Sequence, residues 1–422
     1  MRVTISTAPR RSRSLEARDV APMSRTRSRG AMLLLALVLA SLLSTRASSD
    51  EPPRFASELV FPIDPKLHNH APSIIERPDG GLLVSWYRGS GERKADDVRI
   101  LGAVKGPGDE RFGVPFVLAD TPGFPDGNTA MFINRRGQLF LFWPVVLANT
   151  WESCLTNYRV AETFDDIGRP HWSWQGALYL RPRDFESTLS ERLEERLRST
   201  PTESHPEPEL LEALRERIAD RLSQRLGWQP RCKPTVLPSG RIVLPLYSDT
   251  YSVSIMALSD DDGATWRASA PLAGFGNIQP SVLRRKDGTL VAYMRENGPL
   301  DRVRVSESRD DGETWGPVGV TDLPNSGSGL DAIVLRSGAW LIVYNDTVHG
   351  RSSLAVSLSD DEGETWTVTR HLERRTTGSF HYPAVIQGHG DTIHVVYSYF
   401  VADGKSIRHA AFNESWVRAG DG

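Results

Sequence analysis

Residues 308–315 read SRDDGETW, and the same pattern returns as SDDDGATW at 259–266 and as SDDEGETW at 359–366. Their first residues, Ser259, Ser308 and Ser359, lie 49 and 51 residues apart, and self-similarity at a near-fixed period marks a repeat architecture. The pattern has a local physical logic. Serine and aspartate oxygens cap backbone N–H groups in a turn, glycine accepts a positive φ, and tryptophan packs onto the sheet beside it. Each copy therefore reads as a folded hairpin tip, with its aspartates in a structural role.

Outward from these tips a second repeat sets the count. Apolar, β-branched runs flank a turn glycine at Gly80, Gly137, Gly240, Gly288, Gly338 and Gly390, the signature of a β-hairpin. Successive glycines are 57, 103, 48, 50 and 52 residues apart, so one interval holds an insertion of roughly one extra period. Six hairpins over residues 50–417 predict an all-β chain, a six-bladed β-propeller with its innermost strands around a central channel. The long interval explains itself. Between Asp184 and Gly227 leucines recur at helical spacing (Leu189, Leu193, Leu197, then Leu211, Leu214, Ile218, Leu222), and residues 201–208 carry the prolines that separate two amphipathic helices. This insertion, about 184–226, is expected on the propeller surface and thermodynamically separable from it, with a lid or dimer contact as the alternative role.

Composition narrows the function classes. The 422 residues carry 50 basic and 53 acidic side chains, a net charge of −3, which supplies no global basic field for nucleic acid. Two cysteines, Cys154 and Cys232, exclude a cysteine-built zinc cluster and leave one bridge open. The ten histidines show no metal-binding spacing, and the reading calls for no cofactor. At the N-terminus an apolar run from Ala31 to Leu43 follows the arginines of SRTRSRG and precedes small residues, the layout of a secretory leader. Residues 1–47 are accordingly expected to form a basic segment and signal peptide cut near Ala47, with Met23 a better start than Met1, and residues 48–417 the propeller. The protein is expected to be secreted or periplasmic, touching a membrane only if that segment stays uncleaved.

A propeller brings equivalent positions of every blade to one mouth, so polar residues at strand ends are informative. His70, Asn128, Arg231 with Lys233, Gln279, Asp331, and His381 with Tyr382 stand at the starts of inner strands. Arg88, Asp249, Arg295 with Glu296, and Asn345 with Asp346 stand at the ends of the following ones. Their recurrence predicts a polar, partly cationic pocket for an anionic or heavily hydroxylated small ligand. Arg295 and Arg351 are the candidate clamp, because guanidinium groups hold a carboxylate bidentately.

The Asp-Gly-Thr-Trp turns, the stretch from Gln279 to Arg295, and the run from Arg351 through Ser359 to Tyr382 together resemble the sialidase (neuraminidase) superfamily and its BNR-repeat-like relatives, where the turns are called Asp boxes. The resemblance spans the chain after its leader and is most specific over residues 231–417. It implies a retaining exo-glycosidase in which three arginines hold the sugar carboxylate, a tyrosine paired with a glutamate is the nucleophile, and an aspartate is the acid/base. On this sequence Tyr382 matches the nucleophile, and Arg295 and Arg351 match two arginines. Asp97 falls in the region of the acid/base, with Asp96 and Glu92 competing. His70, Arg231, Lys233 and Asp331 complete the expected substrate-binding set. Two positions depart from the family: His70 stands where an arginine is expected, and Gln279 where the glutamate partner is. An amide cannot accept the tyrosine proton, and a phenol of pKa about 10 then needs another base. The expected substrate is a terminal sialic acid or related acidic sugar on a glycan. A non-catalytic carbohydrate-binding propeller and a uronic-acid-directed hydrolase or lyase are the alternatives.

Overall fold

The structure, a computed structural model, describes residues 51–201 and 205–421. The expected leader and its cleavage near Ala47 lie outside them. Six antiparallel sheets follow one another along the chain. Blade 1 opens with His68–Glu76, blade 2 with Ala130–Ile133, blade 4 with Asn277–Arg284, blade 5 with Asp331–Val334 and blade 6 with Ser379–Gln387. Blade 3 differs. Its inner edge is split into Gln229–Pro230 and Thr235–Val236, both paired with Ile242–Ser248, so residues 231–234 leave the ladder between them. The ring is closed by the chain's own beginning: Phe55–Leu59 pairs antiparallel with Gly404–Phe412 as the outer strand of blade 6. The fourth strand of the last blade thus comes from residues that precede the first blade, which ties the two ends of the propeller together.

The three Asp boxes fold alike. In the first, Ser259 Oγ accepts from Gly263 N (2.8 Å), while Asp261 accepts from Thr265 N and Oγ1 (2.8 and 2.6 Å). Asp310 and Asp361 repeat the pattern with Thr314 and Thr365. Gly263 has φ +96°, and an added Cβ would stand 2.5 Å from the Phe140 ring, so the turn needs glycine for both conformation and space. These aspartates spend their oxygens on their own turns, and none lines the channel mouth.

The insertion forms two helices, Phe185–Ser199 and Pro208–Ala219. Its packing corrects the expectation of separability. Phe185, Leu189, Leu193 and Ile218 are buried in the same apolar cluster as Trp228, Leu246 and Tyr251 of blade 3. Tyr251 also donates to Arg217 O (2.8 Å), and Arg196 to Phe275 O (2.8 Å). Blade 3 has only a two-residue outer strand, Arg267–Ala268, and the helices cover apolar surface that a full sheet would cover elsewhere. Leu189→Ala is expected to cost about 2–5 kcal/mol in chemical denaturation, the range for a buried leucine. A loss under about 1 kcal/mol would return the insertion to a surface appendage.

The two cysteines are free and buried, so the bridge left open by the sequence is not formed. Cys232 donates to Leu330 O (3.2 Å), and burial pushes its thiol up to about 12.

Candidate functional site

Three inner strands share a device that the sequence carries as an X-Pro pair. Ala71, Gln279 and Tyr382 each precede a proline, and each has positive φ (52°, 55° and 55°). The ladder slips at the same places, between His70 and Ser73, Ile278 and Ser281, and His381 and Ala384. A non-glycine residue in that region costs of order 1–3 kcal/mol and persists where its surroundings over-determine it. These bulges lift Gln279 and Tyr382 out of the pleat alternation and aim them into the channel mouth.

There they meet. Tyr382 Oη accepts two hydrogen bonds, from Arg295 Nη1 (2.8 Å) and Gln279 Nε2 (3.1 Å). The Arg231 and Arg351 guanidinium carbons stand 5.1 and 5.8 Å from the centroid of its ring. The His70 ring lies 4.3 Å from it, tilted. Three guanidinium groups therefore surround one phenol, supplied by blades 3, 4 and 5. Gln279 Nε2 also donates to Tyr247 Oη (3.2 Å), which accepts from Asn128 Nδ2 as well (2.9 Å). The cavity above this group, about 190 Å3, is lined by His70, Tyr87, Glu92, Asn128, Trp151, Tyr247, Asp249, Gln279, Arg295 and Tyr382.

The electrostatics favour an anion. Burial pulls the Arg351 guanidinium below its ordinary value, and neighbouring Arg295 adds to that pull. Glu92 and Asp249 are the carboxylates in the cavity wall. They differ. Glu92 accepts from Tyr87 Oη (3.2 Å) and faces His68 Nε2 (3.1 Å), and the His68 hydrogen bond holds its carboxyl below the usual range. Burial raises Asp249 against the pull of Arg295 and Gln229.

Three of the expected substrate-binding residues, and the expected acid/base Asp97, have other work. Lys233 Nζ is held by Asp331 Oδ2 (2.8 Å) and Ala332 O (3.2 Å). Asp331, with no exposed surface, also accepts from Ser281 Oγ and Val385 N (2.8 and 2.9 Å). This pair ties blades 3 to 6 together deep in the channel, where a sugar cannot reach a saturated carboxylate. Asp97 is exposed and accepts from Ser90 N and Oγ, closing the loop 90–97 rather than lining the cavity. His70 does not replace an arginine's charge: burial and the neighbouring His381 and His68 push it well below its ordinary pKa, so it is neutral. Its Nδ1 pairs with Ser398 Oγ (2.7 Å), and its ring braces the phenol. Tyr247, Tyr87 and Trp151 were not singled out from the sequence, although Tyr87 and Tyr247 end the second strands of blades 1 and 3, where aromatic residues recur.

Comparison with known proteins places this architecture. The BNR repeat-like domain family matches residues 226–395. A sialidase of Micromonospora viridifaciens is 28% identical over 174 residues, which are 39% of this chain and 26% of that protein, so the match spans about a quarter of the relative's length. Among solved structures, the leech intramolecular trans-sialidase superposes with a TM-score of 0.64 at 11% identity, over 86% of this chain and 71% of that one. The NanB sialidase of Streptococcus pneumoniae gives 0.62 at 12%, over 89% and 73%. A protein of unknown function from Dyadobacter fermentans gives 0.63 at 18%, over 86% of this chain and 99% of that one. At such identities the structural likeness speaks for the fold alone. With its Asp boxes, its six sheets and the matched repeat domain, the chain is a six-bladed β-propeller similar in fold to sialidases.

Proposed function

We propose that the protein is a secreted exo-glycosidase of sialidase type that takes a terminal sialic acid or related acidic sugar from a glycan. The observation that carries this reading is the ring of three guanidinium groups, Arg231, Arg295 and Arg351, around the Tyr382 phenol. In this reading Arg295 and Arg351 take the sugar carboxylate, which brings the anomeric carbon beside it towards Tyr382 Oη. Arg231, nearly without exposed surface and donating to Pro383 O (2.6 Å), stays beneath the ring and supports the field. A neutral phenol approaches a carbon that bears a carboxylate with less repulsion than a carboxylate nucleophile would. As the phenol gives up its proton, negative charge gathers on Oη, where two donors already point.

A second reading, a carbohydrate-binding propeller without turnover, is favoured by one observation: Gln279 offers Tyr382 an N–H donor and no base. The two readings share the carboxylate clamp and part on turnover. Release of 4-methylumbelliferone from its sialoside, beside calorimetric binding of free sialic acid, separates them. Arg295→Ala and Arg351→Ala each remove a charge-assisted pair, expected to weaken free-sugar binding by roughly tenfold to hundredfold, from about 1.5–3 kcal/mol. Lysine at either position is expected to restore only part, because the fork is lost. Unchanged binding in both alanine variants would remove the acidic-sugar pocket.

A further inference from the structure

We propose, resting on the glycosidase reading above, that Asp249 is the acid that protonates the leaving glycosidic oxygen, while Glu92 takes the proton of Tyr382. The resemblance points instead to the loop 90–97 for this acid, but the geometry removes its two aspartates. Asp97 is held by Ser90, and Asp96 accepts from Asn149 Nδ2 (2.8 Å) at the exposed surface. Among the carboxylates of the described residues, Glu92 of that loop and Asp249 of blade 3 line the cavity over Tyr382.

Their surroundings set them apart. Glu92 has two hydrogen-bonding partners, Tyr87 and His68, that favour its ionised form. Asp249 takes a hydrogen bond from Gln229 Nε2 at Oδ2 (3.2 Å) and, among the described residues, no other; it sits at the end of the strand Ile242–Ser248, on the cavity wall. The groups that act on it are Arg295 and Arg93, which favour ionisation, and Glu152, which opposes it, with buried Tyr247 and Cys154 beside them. Burial outweighs the cations and raises its pKa. Two carboxyl groups in one cavity, pushed in opposite directions, mark the acid and the base.

The protons balance. Tyr382 Oη bonds to the anomeric carbon and gives its proton, through one water in the cavity they share, to the Glu92 carboxylate. The glycosidic C–O bond breaks with its electron pair on oxygen, which takes the proton of Asp249. Water then attacks the same carbon, one of its protons returning to Asp249, and the departing phenolate recovers its own from Glu92.

The test is Asp249→Asn in the whole protein, assayed on sialyllactose and on 4-nitrophenyl sialoside, with free-sugar binding as the check on folding. A leaving group that needs protonation loses the full contribution of general acid catalysis, roughly 10²–10⁴-fold in kcat/KM, whereas nitrophenolate leaves unaided and is expected to lose under about tenfold in kcat/KM, which reads the steps up to glycosidic cleavage and not the later attack of water. Because the acid form is required for cleavage, wild-type kcat/KM on sialyllactose falls as pH rises through the Asp249 pKa, and this limb is expected to vanish in the variant. Asp249→Glu, which keeps the acid on a longer arm, is expected to restore part of the sialyllactose activity. Equal losses on both substrates, or an unchanged basic limb, overturn the assignment of Asp249 and leave the glycosidase reading standing. A wild-type protein that binds the free sugar and cleaves neither substrate overturns both.

Discussion

Tyr382→Phe is expected to reduce release of the aglycone from a sialoside to background while leaving free-sugar binding within a few-fold of wild type. The substitution deletes one oxygen. The ring keeps its place against His70 at 4.3 Å and its neighbours Arg231 and Arg351, so the walls of the site stay as they are. What disappears is the acceptor for Arg295 Nη1 and Gln279 Nε2. Gln279 Nε2 keeps its bond to Tyr247 Oη, while Arg295 Nη1 loses its acceptor at a cost of order 1–3 kcal/mol if the site is dry, so a modest fall in melting temperature is expected too. A bound sugar carboxylate offers Arg295 a replacement acceptor, so the ligand should stabilise the variant at least as much as the wild type. Stopped aglycone release with retained binding is the signature of a lost nucleophile. Equal turnover in the variant and the wild type would eliminate the tyrosine mechanism outright.

The parts of this molecule that were legible in the sequence are those whose cause is local. An Asp box is closed by side chains two to four residues from its serine, so its spelling predicts its geometry. Six glycine-centred hairpins then count the blades, because the two strands of each such hairpin are neighbours in the chain and each blade holds one of them. The site is less legible because it is made of partners from different blades. Arg295 and Tyr382 are 87 residues apart and meet at 2.8 Å. Nothing in the spacing of Lys233 and Asp331 says that they neutralise each other, and this long-range pair withdraws both from the pocket. Asp97 is the opposite case: a short-range bond to Ser90 takes it from the cavity, and a Ser-to-Asp loop closure over seven residues has no sharp spelling. The X-Pro pairs at residues 71–72, 279–280 and 382–383 are the signal that could have been read further. A repeated proline at one strand position indicates a break in the ladder, and the residue before it is the one redirected.

Gln279→Glu is expected to raise turnover on an unactivated sialoside, because a base in direct contact with the phenol replaces transfer to the more distant Glu92. The site is already shaped for a carboxylate. Glutamine and glutamate have the same shape, and the amide nitrogen lies 3.1 and 3.2 Å from the two phenol oxygens of Tyr382 and Tyr247. As a carboxylate oxygen the same atom would accept from Tyr382 where the amide can only donate. The other amide atom, Oε1, is buried without a hydrogen-bond partner, and so are Nε and Nη1 of Arg231. Both lie under Gly329, whose Cβ, if it had one, would stand 2.8 Å from Oε1 and 3.7 Å from Arg231 Nε. The carboxylate introduced by Gln279→Glu would therefore place its charge beside a guanidinium with two unpaired nitrogens, within a ring of three. The desolvation that normally makes a buried carboxylate costly is offset there by charges already present. The added negative charge would also oppose the sugar carboxylate, so weaker free-sugar binding is expected to accompany faster turnover, and that opposite movement separates a gained base from general repair of the site. Turnover unchanged by Gln279→Glu, in a protein whose activity Tyr382→Phe abolishes, would mean that the amide does not limit the reaction and that Glu92 already serves as an adequate base.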